Sequence, residues 1–374
     1  MKTYSSSKLT LLSLLLVGAA LGTHTSAQEA ETLRPLAVDD YFAIQSVGSP
    51  IVSPDGAWVV YTVSTKDLEN DRTESRLWSV PTAGGEARPI TAKGWGVGSP
   101  SWTPDGQYLA FTARSGDQGS QLFRLDLRGG GERVQITNVE GGIGGYKWSP
   151  DGKRLLLSIR DKNTDDPSGP WVIDRLVFKQ DYVGYLNHQR THLYVHDLEA
   201  KTTIQITDGD YDDYGATWSP DGSRIAFVSN RTAEPDASSN TDIWLVDPDT
   251  PYDQQEPVRV TTNPGTDDSP IWHPDGERIG YLMTYTDRTD IPASYLQSKV
   301  AIIRIGEDEP VLLTTEALDR KAWDPTFSPD GSQIYVQLED DGQVQLAAVS
   351  VADGELSRLI TGQVQVGATA VAPD

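Results

Sequence analysis

Cysteine is absent from the 374 residues, and methionine and histidine are scarce, with two and five copies. Without cysteine the chain forms no disulfide, no thiolate nucleophile and no thiolate metal site. Basic residues are also few, because 31 lysines and arginines stand against 54 acidic residues and the formal net charge is -23. Nucleic-acid-binding proteins have a basic surface, so we expect no nucleic-acid partner. We also predict no cofactor.

Long apolar runs are missing except near the start of the chain. The run Leu9–Leu21 follows Lys2 and Lys8 and precedes small residues that end at Ala27. This order is typical of a secretory signal peptide, so we predict a signal over residues 1–27, cleavage near Ala27, and an exported periplasmic or extracellular protein without a membrane segment. An uncleaved membrane anchor is the alternative. No later segment reaches the roughly 18 apolar residues of a spanning helix.

The sequence repeats a short motif at intervals of about 50 residues. Each copy is Pro-Asp-Gly preceded by a polar residue. Proline presets φ, aspartate bonds nearby backbone and glycine accepts a left-handed conformation, so each copy predicts a tight hairpin turn. The six complete copies are Ser53–Gly56, Thr103–Gly106, Ser149–Gly152, Ser219–Gly222, His273–Gly276 and Ser328–Gly331, and a seventh begins at Ala372.

The segments around each turn read as four short strands. One strand precedes the turn and often ends in an aromatic residue, a β-rich strand follows it, and a third and a fourth strand complete the unit. A four-stranded unit repeated at this spacing is the signature of a β-propeller blade. We therefore predict an all-β propeller with six complete blades and the start of a seventh, in which the tryptophans form the core between blades.

The partial seventh unit implies an incomplete ring. We predict a lead segment over residues 28–50 and a propeller over residues 51–374, with an enlarged third blade at about 161–196. A ring of at least seven blades would leave apolar faces of the first and sixth blades open, so we expect the chain to be truncated and prone to self-association. The alternative is a six-bladed ring in which residues 362–374 form a tail.

The enlarged third unit carries the most specific pattern, namely Asp174-Arg175-Leu176, Phe178-Lys179, Asp181, Gly184-Tyr185 and His192-Leu193-Tyr194. Together with the start at Leu36–Phe42, it resembles the prolyl oligopeptidase family of serine peptidases, in its acylaminoacyl-peptidase-like and dipeptidyl-peptidase-like bacterial branch. The resemblance runs from about Leu33 to Asp374. It implies a substrate-gating propeller that admits short peptides to a C-terminal α/β-hydrolase domain, which carries the serine, aspartate and histidine of the triad.

The chemistry of such a hydrolase domain is missing from this sequence. No Gly-x-Ser-x-Gly nucleophile elbow occurs, and the last histidine, His273, lies inside a Pro-Asp-Gly turn. We therefore predict no catalytic residue here and no activity of the chain alone, with the hydrolase domain as an absent partner and short peptides as substrates of the parent peptidase. The alternative is a non-enzymatic TolB-like periplasmic binding or scaffold propeller.

Two patterns suggest a metal site only weakly. His188, His192 and His196 are spaced for one face of a helix, but the surrounding sequence predicts a strand, which holds successive members too far apart for one metal ion. The segment that starts at Asp208 resembles a calcium loop but lacks its glycine and its final glutamate. We predict no metal site.

The acidic loops between units are the candidate functional feature. They join the fourth strand of one unit to the first strand of the next, so the repeat places them on one face, near the central tunnel. There they would form an acidic ring that attracts cationic peptide ends. Turn chemistry on a solvated surface is the alternative. The predicted substrate-channel residues are Asp210, Asp212, Asp213, Asp267 and Asp268.

Overall fold

The computed structural model describes residues 34–127, 131–163, 169–170, 172–181, 183–284, 296–314 and 318–371. The predicted all-β propeller is confirmed, because the described residues form a ring of six four-stranded antiparallel sheets. The chain divides into two compact units, residues 1–41 and 42–374. In the first, Arg34 pairs with Asp40; the second contains every sheet. The predicted signal peptide and the copy that begins at Ala372 lie outside the described residues.

Each blade is a meander of four strands in chain order. Blade 1 contains β1 Ser46–Val52, β2 Trp58–Asp67, β3 Arg72–Pro81 and β4 Arg88–Pro89; blade 2 contains β5 Gly98–Trp102, β6 Leu109–Arg114, β7 Ser120–Leu125 and β8 Arg133–Gln135; blade 3 contains β9 Gly145–Trp148, β10 Arg154–Arg160, β13 Thr191–Asp197 and β14 Thr202–Gln205. Blade 4 contains β15 Asp213–Trp218, β16 Ile225–Ser229, β17 Asp242–Val246 and β18 Val258–Arg259; blade 5 contains β19 Thr266–Trp272, β20 Arg278–Thr284, β21 Lys299–Arg304 and β22 Val311–Leu312; blade 6 contains β23 Ala322–Phe327, β24 Gln333–Asp340, β25 Gln343–Ser350 and β26 Leu356–Ile360.

Helical structure is confined to short pieces in the described residues. They are α1 Asp40–Ala43 and the 3-10 turns Gly116–Gln118, Pro235–Ala237 and Tyr252–Gln254. None of the described helices is long or apolar enough to cross a membrane. The enlarged part of blade 3 lies between β10 and β13 and contains a two-stranded sheet of β11 Lys179–Gln180 and β12 Gly184–Tyr185.

The Pro-Asp-Gly segments form the hairpin turns between the first and second strands. In the first copy the Ser53 hydroxyl donates to the Asp55 carboxylate and accepts the Trp58 N–H, while the Gly56 N–H donates to the Ser53 carbonyl. The six turn glycines have φ between 66° and 73°, which side chains disfavour. Hydrogen bonds from Ser219 and Ser223 lower the pKa of Asp221 to about 2.

Burial follows the position of a blade in the ring. All five residues of β16 in blade 4 are buried, because neighbouring blades cover both faces of the sheet. In β2 of blade 1 only Val60 and Val63 are buried. The fourth strands are largely exposed, and first strands of neighbouring blades contact one another, so the first strands lie inside and the fourth strands form the rim.

Consecutive turns pack against each other in the ring. A Cβ placed on Gly106 would lie 3.1 Å from the side chain of Pro54 in the preceding turn. The next three turns repeat this contact, and in blade 6 a Cβ on Gly331 would meet the His273 ring. A Cβ on Gly56 has no described atom within 4 Å beyond its chain neighbours. Four junctions therefore share one packing mode, and at the junction of blades 5 and 6 a histidine of the preceding turn takes the place of the proline.

In five blades a threonine two residues after the fourth strand binds the backbone of the third strand. Its hydroxyl accepts the backbone N–H of a third-strand residue at 2.8–2.9 Å; the pairs are Thr91 with Leu77, Thr137 with Leu122, Thr207 with Leu193, Thr261 with Ile243 and Thr314 with Val300. The residue before the N–H donor is polar in each of these five blades; these residues are Arg76, Gln121, His192, Asp242 and Lys299. We call this the third-strand polar position.

The strand directions give the ring two faces. The turn face carries the Pro-Asp-Gly turns and the connections from third to fourth strands. The long-loop face carries the connections from second to third strands, which include residues 161–163 and 183–190, and those between blades, which include residues 206–212 and 260–265. All five predicted channel carboxylates lie on or next to the long-loop face.

Candidate functional site

A cluster of charged side chains lies on the long-loop face where blade 3 meets blade 4. We call it the His192 cluster; its members are Asp161, Arg190, His192, Asp208, Asp210, Asp212, Asp213 and Arg231. Its buried centre is the pair of His192 and Asp213, which are 1% and 0% exposed.

The repeat positions both members of this pair. Thr207 binds the N–H of Leu193, which fixes His192 at the third-strand polar position. Asp213 is the first residue of β15 and comes from the next blade. His192 Nδ1 lies 3.4 Å from one Asp213 carboxylate oxygen, and Arg231 Nη2 donates to the other at 2.9 Å. Asp213 is thus buried between two basic groups.

Aromatic rings hold the Arg231 guanidinium in place. Its carbon lies 5.1 Å from the Tyr211 ring centre, 5.4 Å from Phe227 and 5.5 Å from Trp244. Planar guanidinium groups pack well on aromatic faces. The rings shield the ion pair between Arg231 and Asp213 from water, and the Asp213 carboxylate is buried.

The outer part of the cluster presents carboxylates to solvent. Arg190 is buried, and its Nε donates to Asp210 at 2.7 Å while Nη1 lies 3.6 Å from Asp212. The side chains of Asp210 and Asp212 are nevertheless 71% and 52% exposed. Asp212 also accepts the Thr191 N–H at 2.9 Å. One buried arginine therefore orients two solvent-facing carboxylates.

The charge of His192 depends on its acidic neighbours. Its Nε2 lies 3.6 Å from Asp161 and 3.7 Å from Asp208. Burial lowers the pKa of His192, whereas the hydrogen bond and charge of Asp213 and the charges of Asp161 and Asp208 raise it. The acidic neighbours outweigh burial, so the pKa of His192 is raised above its ordinary value. The cluster therefore favours a positive imidazolium at its centre.

The enlarged segment of blade 3 is tied to blade 4 by a second ion pair. Arg175 donates to both carboxylate oxygens of Asp236, and the Val177 N–H donates to the same carboxylate. Arg175 also donates to the Asn187 carbonyl. This clamp holds a segment with exposed large hydrophobic side chains; they include Val172, Ile173, Leu176, Val183 and Tyr185.

The other two predicted carboxylates lie one blade further along. Asp267 is fully buried; it accepts a hydrogen bond from Asn263, and its Oδ2 has no partner among the described residues. Burial raises the pKa of Asp267 to about 7, against hydrogen bonds from Thr261 and Asn263. Asp268 is half-buried and accepts the Ser269 N–H.

Asp242 is the acidic neighbour of Asp267 and occupies the third-strand polar position of blade 4. It is buried and pairs with Arg259 at 2.7 Å, while its Oδ1 has no partner among the described residues. Burial raises the pKa of Asp242 to about 6, against the hydrogen bond and charge of Arg259. The negative charge of Asp242 in turn raises the pKa of Asp267.

The predicted channel residues thus fall into two groups. Asp210, Asp212 and Asp213 join the His192 cluster, whereas Asp267 and Asp268 lie at the junction of blades 4 and 5. Asp213 and Asp267 are buried, so Asp210 and Asp212 carry most of the solvent-facing charge. The channel role of all five stays a prediction.

Sequence reasoning missed the basic partners and three acidic neighbours in these groups. They are Arg190, Arg231, Asp161, Asp208 and Asp242. No local motif marks these pairings, because the contacts join residues from different strands or blades. The three histidines that attracted attention have different partners: His188 lies 3.0 Å from Asp174, His192 faces Asp213, and His196 lies 2.8 Å from the Thr203 hydroxyl.

Comparisons with known proteins find peptidases that are similar to this chain. No family model matches the chain. It is 28% identical over 220 residues to the uncharacterized peptidase YuxL of Bacillus subtilis (56% of this chain, 34% of the relative), and 30% identical over 139 residues to dipeptidyl-peptidase 5 of Trichophyton schoenleinii (35% and 18%). An acylaminoacyl peptidase solved with Z-Gly-Gly-Phe-chloromethyl ketone superposes with a TM-score of 0.68 at 19% identity, covering 89% of this chain and 48% of that one.

The predicted resemblance to the propeller domain of prolyl oligopeptidase-family peptidases is confirmed. The matched region spans about a third of the Bacillus subtilis relative and less than a fifth of the fungal one.

Proposed function

We propose that this chain is the substrate-gating propeller of an exported serine-type peptidase of the prolyl oligopeptidase family that hydrolyses short peptides. The serine, aspartate and histidine of that peptidase belong to a C-terminal α/β-hydrolase domain, and this chain carries none of them. The observation that carries the proposal is the match to a peptidase over 220 residues of a chain whose described part is a propeller.

The His192 cluster supports a gating role through its charge. Asp210 and Asp212 face solvent on the long-loop face, and the buried Arg190 fixes their orientation. Fixed carboxylates at a channel mouth raise the local concentration of cationic ligands. In this proposal the positively charged amino end of a peptide meets them before it enters the tunnel.

The reading frame beyond Asp374 separates the two candidate functions. A Gly-x-Ser-x-Gly pentapeptide followed by an aspartate and a histidine supports the peptidase. A stop codon after one more blade supports a TolB-like binding propeller. In parallel, residues 28–374 should hydrolyse no dipeptidyl p-nitroanilide above background. Turnover that survives repurification and is blocked by a serine-directed inhibitor would contradict the assignment of the triad to another domain.

A charge-neutral double variant tests the gate itself. Asp210→Asn with Asp212→Asn should weaken binding of a fluorescent lysine-rich pentapeptide by about threefold at low salt, since each exposed charge contributes little alone. The matched control is Glu307→Gln with Asp308→Asn, which removes the same charge from exposed positions on the turn face. Fluorescence anisotropy measures both variants. Equal losses in both would assign the effect to net charge and not to the cluster.

A further inference from the structure

Two blade junctions on the turn face are closed by an arginine. Arg154 follows the turn of blade 3; its guanidinium lies 4.9 Å from the Trp218 ring of blade 4 and donates to the Gly222 carbonyl at 3.0 Å. The equivalent residues one blade later are Arg224, Trp272 and Gly276, at 5.2 Å and 2.7 Å. The arginine fills the space between the blades and satisfies the turn of its neighbour.

Blade 1 has a tryptophan where those blades have the arginine. Trp58 takes the position of Arg154, and the junction with blade 2 opens into a cavity of about 770 Å³. Trp58, Val60, Ile90 and Trp102 form its apolar walls. Pockets that bind small organic ligands have this size and are mostly apolar with a few placed polar groups.

One of those walls contains an unsatisfied donor. At the later junctions the indole N–H of the first-strand tryptophan donates to the preceding blade. The pairs are Trp148 to Ser101 Oγ at 3.1 Å, Trp218 to the Lys147 carbonyl at 3.3 Å and Trp272 to the Thr217 carbonyl at 3.2 Å. Trp102 Nε1 is buried and has no partner among the described residues. A buried N–H without an acceptor costs free energy, and a ligand oxygen recovers it once a small shift of the wall opens the N–H to the cavity.

A cation lies at the rim of the same cavity. The Arg88 guanidinium lies 5.3 Å from the Trp58 ring centre and forms no ion pair with any described residue. The two carboxylates that line the cavity, Asp55 and Asp105, are bound by their own turns. The rim therefore offers an arginine to an anion.

The junction of blades 2 and 3 provides an internal comparison. There Tyr108 takes the arginine position, and a cavity of about 670 Å³ opens. Its first-strand tryptophan, Trp148, already donates to Ser101, so no buried indole N–H awaits an acceptor. The open space, the orphan donor and the unpaired arginine coincide only at the junction of blades 1 and 2 among the described residues.

We propose that the cavity between blades 1 and 2 binds a small amphipathic carboxylate. The flat apolar body of the ligand packs between Trp58 and Trp102, an oxygen accepts the Trp102 N–H, and the carboxylate pairs with Arg88. A free arylalkanoic acid and the C-terminal residue of a peptide share this chemistry. The site is on the turn face and does not depend on the proposed peptidase function.

Isothermal titration calorimetry of the full chain with 4-phenylbutyrate tests the proposal. We expect one saturable site per chain and at least tenfold weaker binding of 4-phenylbutyramide, which lacks the charge. Trp58→Arg places an arginine at the position that Arg154 occupies in blade 3, where it should fill the cavity and weaken binding at least tenfold. Tyr108→Arg makes the matched change at the next junction and should leave the affinity within twofold. A competition titration with the tripeptide Ala-Ala-Phe distinguishes the two sources of the ligand. Displacement of 4-phenylbutyrate by the tripeptide would show that the site accepts the C-terminal residue of a peptide.

A conservative variant keeps the test decisive if Trp58→Arg fails to fold. Trp102→Phe removes the N–H while it keeps an aromatic wall, and it should weaken binding about tenfold with little change in the urea midpoint. Arg88→Gln should weaken binding about fivefold. Absence of saturable binding, an unchanged affinity in Trp102→Phe, or an equal loss in Tyr108→Arg would each overturn the site.

Discussion

Asp213 and Asp267 occupy the same position in neighbouring blades, and their surroundings differ. Each lies near the start of a first strand, at the same distance before the tryptophans Trp218 and Trp272, and each is fully buried. Asp213 has His192 and Arg231 as partners, whereas the hydrogen-bond partners of Asp267 are neutral and its charged neighbourhood includes Asp242.

The difference comes from the third-strand polar position. In blade 3 that position holds His192, which faces Asp213, and in blade 4 it holds Asp242, which acts on Asp267. At one junction the buried carboxylate lies between two basic side chains, while at the next burial favours its neutral form. The repeat fixes the geometry of the pair, and the residue at the third-strand polar position sets the charges around the carboxylate.

Replacement of His192 by aspartate makes the first junction resemble the second, and it should have the largest effect. His192→Asp buries a second carboxylate beside Asp213, and we expect a loss of about 3–5 kcal/mol in the free energy of unfolding at pH 7. His196→Asp, on the same strand but partly exposed, is the control and should cost less than about 1 kcal/mol. Urea denaturation followed by tryptophan fluorescence measures both. Similar losses would show that the pairing with Asp213 carries little stability.

Asp267→Asn tests the comparison of the two junctions through the pH dependence of the unfolding free energy. The pKa of Asp267 is raised to about 7 in the fold, so ionisation destabilises the fold as the pH rises from about 4 to about 7. The raised pKa of His192 acts in the same direction, because its contribution is complete below the unfolded value of 6.5 and is lost as the pH rises through the folded value. Asp267→Asn should raise the unfolding free energy by about 4 kcal/mol at pH 8 and have little effect below pH 4.

The measurement is the urea midpoint between pH 4 and pH 8 for the wild type, Asp267→Asn and His192→Gln. Each variant should flatten the decline with pH, and the double variant should flatten it most. A wild-type curve that rises over this range would contradict the assigned direction of both pKa shifts.

Asp242→Asn should have the smallest effect of the three substitutions above pH 6, where the ionisation of Asp242 itself, with a pKa of about 6, is complete. It removes the like charge that raises the pKa of Asp267 and frees Arg259 to approach that carboxylate. We expect the pH dependence attributed to Asp267 to move down by about half a pH unit to one unit, which corresponds to roughly 1 kcal/mol. Urea midpoints measured over the same pH range detect this shift. The control is Asp268→Asn, which removes a nearby half-buried carboxylate. No displacement would show that burial alone sets the pKa of Asp267.

The sequence predicted the architecture because the turns and strands of each blade depend on residues that are close together in the chain. Pro-Asp-Gly turns and the short strands around them involve residues that are near neighbours in the chain, such as Ser53 and Trp58, whose side chain and N–H meet across one turn. Six copies of one local rule predict six blades, and the structure agrees.

The candidate site was reached only in part, because its contacts cross between strands and blades. The aspartates were recognisable as acidic loop residues, but Asp213 and Asp267 belong to first strands and lie beneath residues of the preceding blade. No pattern within one unit shows that Arg231 will pair with Asp213 or that Asp242 will act on Asp267. Such pairings depend on how neighbouring sheets are set against each other.

The stacking of each turn on the one before it has a consequence for how the chain folds. A Cβ on Gly106 would meet Pro54 and one on Gly152 would meet Pro104, and the later turns lie equally close to the turn before them, so each approach joins residues about one blade apart in the sequence. The entropy lost in closing such loops is nearly the same at every step. The blades then behave as an array in which each blade packs mainly against its neighbours. A blade that emerges from the ribosome can therefore pack against the preceding blade, which has already been synthesised. Folding from the N-terminus would therefore proceed by addition, one blade at a time.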